Sequence, residues 1–113
     1  VGSLPIQDFV GMNATLELLL ELGPERIERH VLAITGELRR GLLALPGSTM
    51  LTPERNAKRA GIVAVRTTDL AGDSTRLRAA GVVHSVREGA IRLAPHFHTT
   101  LSDVEQVRRA LRG

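Results

Sequence analysis

Apolar residues at helical spacing dominate the first part of the chain. In residues 8–22 they recur at intervals of three and four, which predicts a helix that buries one stripe. Gly23 and Pro24 end this helix and suit the first turn of a second one, predicted over residues 24–45. The apolar positions of the two helices are Phe9, Met12, Leu16, Leu19, Leu20 and Ile27, Val31, Ile34, Leu38, Leu42, Leu45.

Shorter strand and helix patterns follow. Residues 49–51 predict an edge strand, and residues 61–66, which are apolar on both faces, predict an interior strand. The spacing over residues 69–80 predicts a third helix that ends at Gly81. A polar, basic loop over residues 52–59 separates the two predicted strands.

The last third of the sequence predicts a hairpin and a final helix. Residues 82–86 and 90–94 are the two strands, and residues 87–89 form the turn with Gly89 at positive φ. Ser102 to Glu105 has the form of a capping box that opens the last helix. The predicted order ααββαββα indicates an α+β fold, a small and mostly antiparallel sheet covered by helices.

Composition removes several classes of function. The chain has 113 residues, no Cys and 2% aromatic residues, which is typical of one small domain with an aliphatic core. The absence of cysteine excludes a disulfide framework, a thiolate metal site and a cysteine nucleophile. The scarcity of aromatic rings argues against stacking on single-stranded nucleic acid.

Charge and hydropathy argue against two further kinds of partner, polyanions and membranes. The net charge is +3, and basic residues alternate with acidic ones, so solvated helix faces are expected and polyanion binding is a minor alternative. No apolar run approaches the roughly 18 residues of a membrane span. No signal-peptide pattern occurs at the start, so we expect a cytoplasmic location.

Arg92 is the most informative candidate residue. Strand alternation places it with Ala94 on one face and opposite Ile91 and Leu93. A guanidinium among apolar neighbours needs an anion, because its donors would otherwise lose hydration without gaining partners. Two interpretations stay open at this point: a structural salt bridge, or a clamp for a substrate carboxylate.

The other candidate groups carry weaker signals. His96 and His98 have the spacing of two metal ligands, but the sequence offers no third ligand nearby, so we predict no metal site. Lys58 lies in a polar loop and is predicted to be solvated rather than reactive. Ser3 follows a glycine and is a weak candidate for contact with a phosphate.

Residues 61–65, 77–100 and 103–104 closely resemble the small domain of class V aminotransferases. The most specific part of the resemblance runs from Val82 to Asp103. This is the pyridoxal phosphate (PLP) family that contains cysteine desulfurases, selenocysteine lyases, isopenicillin N epimerase-like proteins and kynureninase. The first half resembles the segment that joins the large domain to the small one. The resemblance implies a connecting segment and helix over residues 1–23 and a C-terminal small domain over residues 24–113.

The resemblance also implies roles for individual residues. Arg92 would bind the α-carboxylate of an amino-acid substrate, and Ser3 would contact the cofactor phosphate of the neighbouring subunit in a homodimer. Arg87 and His96 would have supporting roles. The lysine that holds PLP would belong to a large domain outside this chain, so the chain alone would be inactive. The lack of cysteine disfavours a desulfurase, and a stand-alone α+β binding or assembly domain is the alternative.

Overall fold

The computed structural model describes residues 2–112. The helices and strands follow one another in the predicted order ααββαββα, so the α+β prediction is confirmed. The elements are α1 (Ile6–Leu22), α2 (Pro24–Leu43), β1 (Thr49–Met50), β2 (Val63–Arg66), α3 (Leu70–Ala79), β3 (Ser85–Arg87), β4 (Ala90–Leu93) and α4 (Leu101–Arg112).

The four strands form one antiparallel sheet in the order β1-β2-β4-β3. β2 is therefore an interior strand, as its apolar composition predicts. β3 and β4 pair as the predicted hairpin, with Arg87 opposite Ala90. The turn between them has positive φ at both Glu88 (51°) and Gly89 (73°), which is the geometry that joins strands of natural twist most directly.

One face of the sheet carries the core. On that face, β2 and β4 contribute two cross-strand pairs, Val63 with Leu93 and Val65 with Ile91. Helices α2, α3 and α4 supply the apolar residues that complete this cluster. Its helical members are Ile34, Leu38, Leu42, Leu77, Val104, Val107 and Leu111.

The first strand of the hairpin begins later than predicted. Residues 82–84 are not in a strand, because the chain first closes helix α3. Gly81 adopts the left-handed conformation and donates to the carbonyl of Arg78, while Val82 donates to the carbonyl of Leu77. This paired closure confirms Gly81 as the residue that ends the helix and delays β3 until Ser85.

The capping box of the last helix lies two residues before the predicted one. The backbone N–H and the hydroxyl of Thr100 donate to Asp103 Oδ2 at 2.7 and 2.8 Å. Asp103 N–H in turn donates to Thr100 Oγ1 at 3.4 Å. The predicted cap at Ser102 is wrong because Ser102 already lies inside α4.

Helix α1 contradicts the prediction of a buried stripe. None of its residues is buried in this structure, since within residues 2–112 it packs mainly along α2. Its apolar side chains are distributed around the helix, and such a helix is normally covered on several sides. Among the described residues, none of the helices combines the length and the apolar character that crossing a membrane requires.

Candidate functional site

Arg92 lies at the centre of the sheet, on the face opposite the core. In register it is flanked by two small residues, Ala64 of β2 and Ser85 of β3. Arg92 itself is partly exposed, whereas its chain neighbours Ile91 and Leu93 are buried. The predicted alternation along β4 is confirmed, and it directs the guanidinium away from the core.

Within residues 2–112, no carboxylate lies within ion-pair distance of Arg92 and no hydrogen bond engages its guanidinium. Other arginines of the chain do find such partners. Arg76, for example, donates to Asp73 Oδ1 at 2.6 Å and to Asp69 Oδ2 at 3.2 Å. The structural salt bridge that the sequence left open for Arg92 is therefore not formed in the described part of the chain.

Two further arginines share this face of the sheet. Arg66 lies two residues beyond Ala64 on β2, and Arg87 lies two residues beyond Ser85 on β3. Alternation along a strand puts residues two apart on the same face, so Arg66, Arg87 and Arg92 form one surface, called here the arginine face. Arg66 was not predicted as a site residue. The sequence does place it on the same strand face as Ala64, but that relation points to Arg92 only once the pairing of Ala64 with Arg92 is known.

The remaining candidates lie apart from the strand centre. Ser3 is exposed in the segment before α1, and Lys58 is exposed in the short 3-10 turn Asn56–Lys58. His96 is exposed beyond the end of β4, with its ring edge-on to that of Phe97 at a centroid distance of 4.9 Å. Of the predicted site residues, the sheet thus brings Arg87 next to Arg92.

The two histidines of the His-x-His motif have stacked rings. Their centroids are 6.2 Å apart at an interplanar angle of 20°, and both side chains are exposed. Residues 2–112 contain no group of three histidine, aspartate or glutamate side chains placed to hold a metal ion. Backbone hydrogen bonding instead fixes this segment, because His96 N–H donates to Thr99 Oγ1 at 3.0 Å.

A serine–histidine pair that the sequence did not predict lies between α3 and the start of the hairpin. Ser74 Oγ is 2.8 Å from His84 Nε2, and His84 Nδ1 is 3.0 Å from the carbonyl oxygen of Val82. Since that carbonyl only accepts, Nδ1 donates to it and Nε2 accepts from Ser74. Ser74 is 7% exposed, so the pair anchors the segment before β3 and presents no accessible nucleophile.

An apolar groove of about 720 Å³ lies between the first two helices and the chain segments next to β2 and β4. Helices α1 and α2 form one wall, and the chain ahead of β2 and beyond β4 forms the other. The groove is continuous with the exposed side of α1. Its apolar lining includes Leu16, Leu19, Leu20, Ile27, Val31, Ile62 and Pro95.

Comparison with known proteins supplies a family and a fold. The family model described as aminotransferase class-V matches residues 1–109. A solved structure of the cystine C-S lyase C-DES in complex with its reaction product, cysteine persulfide, matches with a TM-score of 0.84 at 21% sequence identity. That match covers 98% of this chain and 30% of the C-DES chain, so this chain spans less than a third of that protein. A search of curated proteins finds no match.

Proposed function

Because the chain belongs to the class V aminotransferase family, we propose that it forms the C-terminal portion of a PLP-dependent enzyme that acts on an amino acid. In this proposal, Arg92 binds the α-carboxylate of the substrate. The observation that carries the proposal is the position of Arg92 on an interior strand, between two small residues and without a carboxylate partner in residues 2–112.

The chemistry of Arg92 suits a carboxylate. A guanidinium presents a planar fork of donors that matches the two oxygens of a carboxylate, and such bidentate pairs are shorter and stronger than neutral hydrogen bonds. Ala64 and Ser85 leave room beside the Arg92 side chain because both are small. An interior strand holds the Cα of Arg92 in place, so the bound carboxylate has a defined position.

PLP, when bound, acts as an electron sink for reactions at the α-carbon of amino acids. The residues of this chain do not fit its attachment. Lys58, the single lysine, is exposed in a turn, and no acidic residue of the described strands lies on the arginine face to pair with a pyridinium nitrogen. We therefore assign the cofactor lysine to the rest of the parent enzyme, and the chain alone is expected to be inactive.

The proposal assigns residues 24–113 to a small domain and residues 1–23 to the segment that joins it to a large PLP-binding domain. The exposed apolar side chains of α1 support this division, since a large domain would cover them. The parent is proposed to be a cytoplasmic homodimer in which Ser3 contacts the cofactor phosphate of the neighbouring subunit. Arg87 and His96 are assigned supporting roles near the substrate.

Substitution of Arg92 in the full-length parent tests the proposal. We expect Arg92→Ala to weaken binding of the amino-acid substrate roughly 100-fold, because one bidentate charged contact is lost, while PLP binding is retained. Amino-acid affinity is measured by titration calorimetry and PLP content by absorbance. Arg109→Ala, an exposed arginine on α4, is the matched control and should leave both unchanged. Unaltered amino-acid affinity in Arg92→Ala would remove the clamp role.

The alternative is a stand-alone α+β binding or assembly domain without catalysis. One observation favours it: the exposed apolar residues of α1 would also serve as a surface for self-association. The two functions differ in what Arg92 does. If the chain is an assembly domain, replacing Arg92 does not weaken amino-acid binding. The same substitution therefore distinguishes the two functions.

A further inference from the structure

We propose that Arg66 and Arg87 bind a second anionic group of the substrate, so that the substrate class is amino acids with an acidic side chain. This inference rests on the proposed function, because it takes Arg92 as the anchor for the α-carboxylate. It adds the prediction that the same sheet face discriminates between acidic side chains and their neutral counterparts.

Strand register places both arginines beside Arg92. Arg92 pairs with Ala64 and Ser85, so Arg66 and Arg87 are its diagonal neighbours on the two adjacent strands. Diagonal neighbours on one sheet face lie about 7–8 Å apart at their Cα atoms. Arginine side chains of this length and flexibility can converge from both sides on a ligand held at Arg92.

The residue between the two outer arginines is Ala90, which is small and only 2% exposed. Arg87 pairs with Ala90, and the β2–β4 register continued by one residue brings Arg66 opposite Ala90 on the other side. The two arginines are thus about 10 Å apart, which is twice the spacing between strands. Both arginines are exposed, so a ligand that extends from Arg92 along β4, above Ala90, comes within reach of their side chains.

None of the three arginines has a carboxylate partner within residues 2–112. Arg39, Arg40, Arg76 and Arg108 do reach one, and other exposed arginines such as Arg78 and Arg109 lack one but lie on helices away from this face. The arginine face therefore concentrates three positive charges that the described chain leaves uncompensated. Charge complementarity calls for more than one negative charge opposite this surface.

The need for a second negative charge is greater when the arginine face is covered by another domain. In the proposed enzyme, a large domain closes over the substrate and excludes water, and a charge buried without a partner is unfavourable. The α-carboxylate compensates Arg92 only. Acidic residues of the large domain are the competing partners for Arg66 and Arg87. The substrate is the favoured partner because a ligand bound to Arg92 is already next to Arg66 and Arg87, the diagonal neighbours of Arg92.

The test uses the full-length parent with PLP bound and two pairs of probes of equal shape. Titration calorimetry compares L-aspartate with L-asparagine and L-glutamate with L-glutamine. We expect the acidic member of at least one pair to bind roughly tenfold or more tightly, as a charge-assisted contact would give. The double variant Arg66→Gln with Arg87→Gln should bring the two members within about twofold, because the acid loses its charge-assisted contact.

Three outcomes overturn this inference or separate it from the proposed function. Equal binding of acid and amide by the parent overturns the acidic substrate class. A double variant that melts at lower temperature yet keeps its preference for the acid overturns it in favour of acidic residues of the large domain. Arg92→Gln with undiminished asparagine and glutamine binding overturns the proposed function itself. Arg109→Gln is the matched control and should behave as the parent.

Discussion

Asp103 illustrates how one carboxylate fixes a chain segment at the residue scale. Its pKa lies below the ordinary value of 3.8 because the backbone N–H and the hydroxyl of Thr100 donate to it, and because His98 adds positive charge. The carboxylate also lies in the first turn of α4, where the helix dipole favours negative charge. These contacts join the start of α4 to the segment that follows β4.

The sign of this pKa change gives a pH dependence. A carboxylate whose pKa is lower when folded contributes stability above its unfolded value, and the contribution is lost as pH falls through the folded value. We expect the unfolding free energy of the chain to decrease below about pH 4 and to decrease less in Asp103→Asn. Urea unfolding at several pH values measures both.

The matched control for Asp103 is Asp8→Asn, which changes an exposed carboxylate of α1 without a comparable hydrogen-bond set. It should retain the acid sensitivity of the original chain. If Asp103→Asn kept the full acid sensitivity as well, the cap would not be its source.

At the scale of elements, the β3–β4 hairpin matters most, because it carries Arg87 and Arg92. Its two-residue turn needs positive φ at both positions, and glycine meets that need only at Gly89. Glu88 adopts φ of 51°, a conformation that costs most side chains about 1–2 kcal/mol. The turn is thus held against the local preference of Glu88 by the strand pairing on either side.

Relieving this strain should stabilise the hairpin. Asparagine tolerates the left-handed conformation, so we expect Glu88→Asn to raise the unfolding free energy by about 0.5–1 kcal/mol. Gly89→Ala, at φ of 73°, is the opposing control and should lower it by about 1 kcal/mol. Chemical denaturation of both variants provides the comparison, and a loss of stability in Glu88→Asn would contradict the expectation.

At the scale of the whole molecule, the chain consists of a packed body and a first helix, α1, whose apolar side chains are exposed. The sheet and helices α2 to α4 share one core, while α1 contributes no buried residue. Leu20 on α1 is 69% exposed and lines the apolar groove, whereas Leu77 on α3 is fully buried in the core. This exposed apolar surface on α1 supports the proposal that a large domain covers it.

Two leucines distinguish these roles. We expect Leu20→Glu to change the unfolding free energy of the 113-residue chain by less than about 0.5 kcal/mol, because the side chain is solvated there. In the full-length parent the same change should impair assembly or stability, since α1 is proposed to be covered. Leu77→Ala is the control and should cost about 2–5 kcal/mol in the chain itself.

Thermal unfolding and gel filtration of both variants, in the chain and in the parent, measure these effects. Equal tolerance of Leu20→Glu in the chain and in the parent would mean that nothing covers α1 in the parent.

Local spacing determined the elements and their order. Apolar residues at three and four positions predicted the helices, and the pairing of a glycine-containing turn with alternating strands predicted the hairpin. The exact ends were less accessible, because they depend on which residue closes a hydrogen bond. Val82 bonds back to Leu77 and Thr100 pairs with Asp103, so β3 starts later and the α4 cap lies earlier than the sequence suggested.

The sequence by itself determined the fold class, the elements and the face on which Arg92 lies, because these follow from periodicity along one segment. Only the tertiary structure decided which residues lie next to Arg92, because strand pairing brings together residues that are far apart in the chain. It added Arg66 to the arginine face and left Arg92 without a carboxylate in residues 2–112. It also turned the predicted buried stripe of α1 into an exposed surface, since burial depends on what packs against a helix.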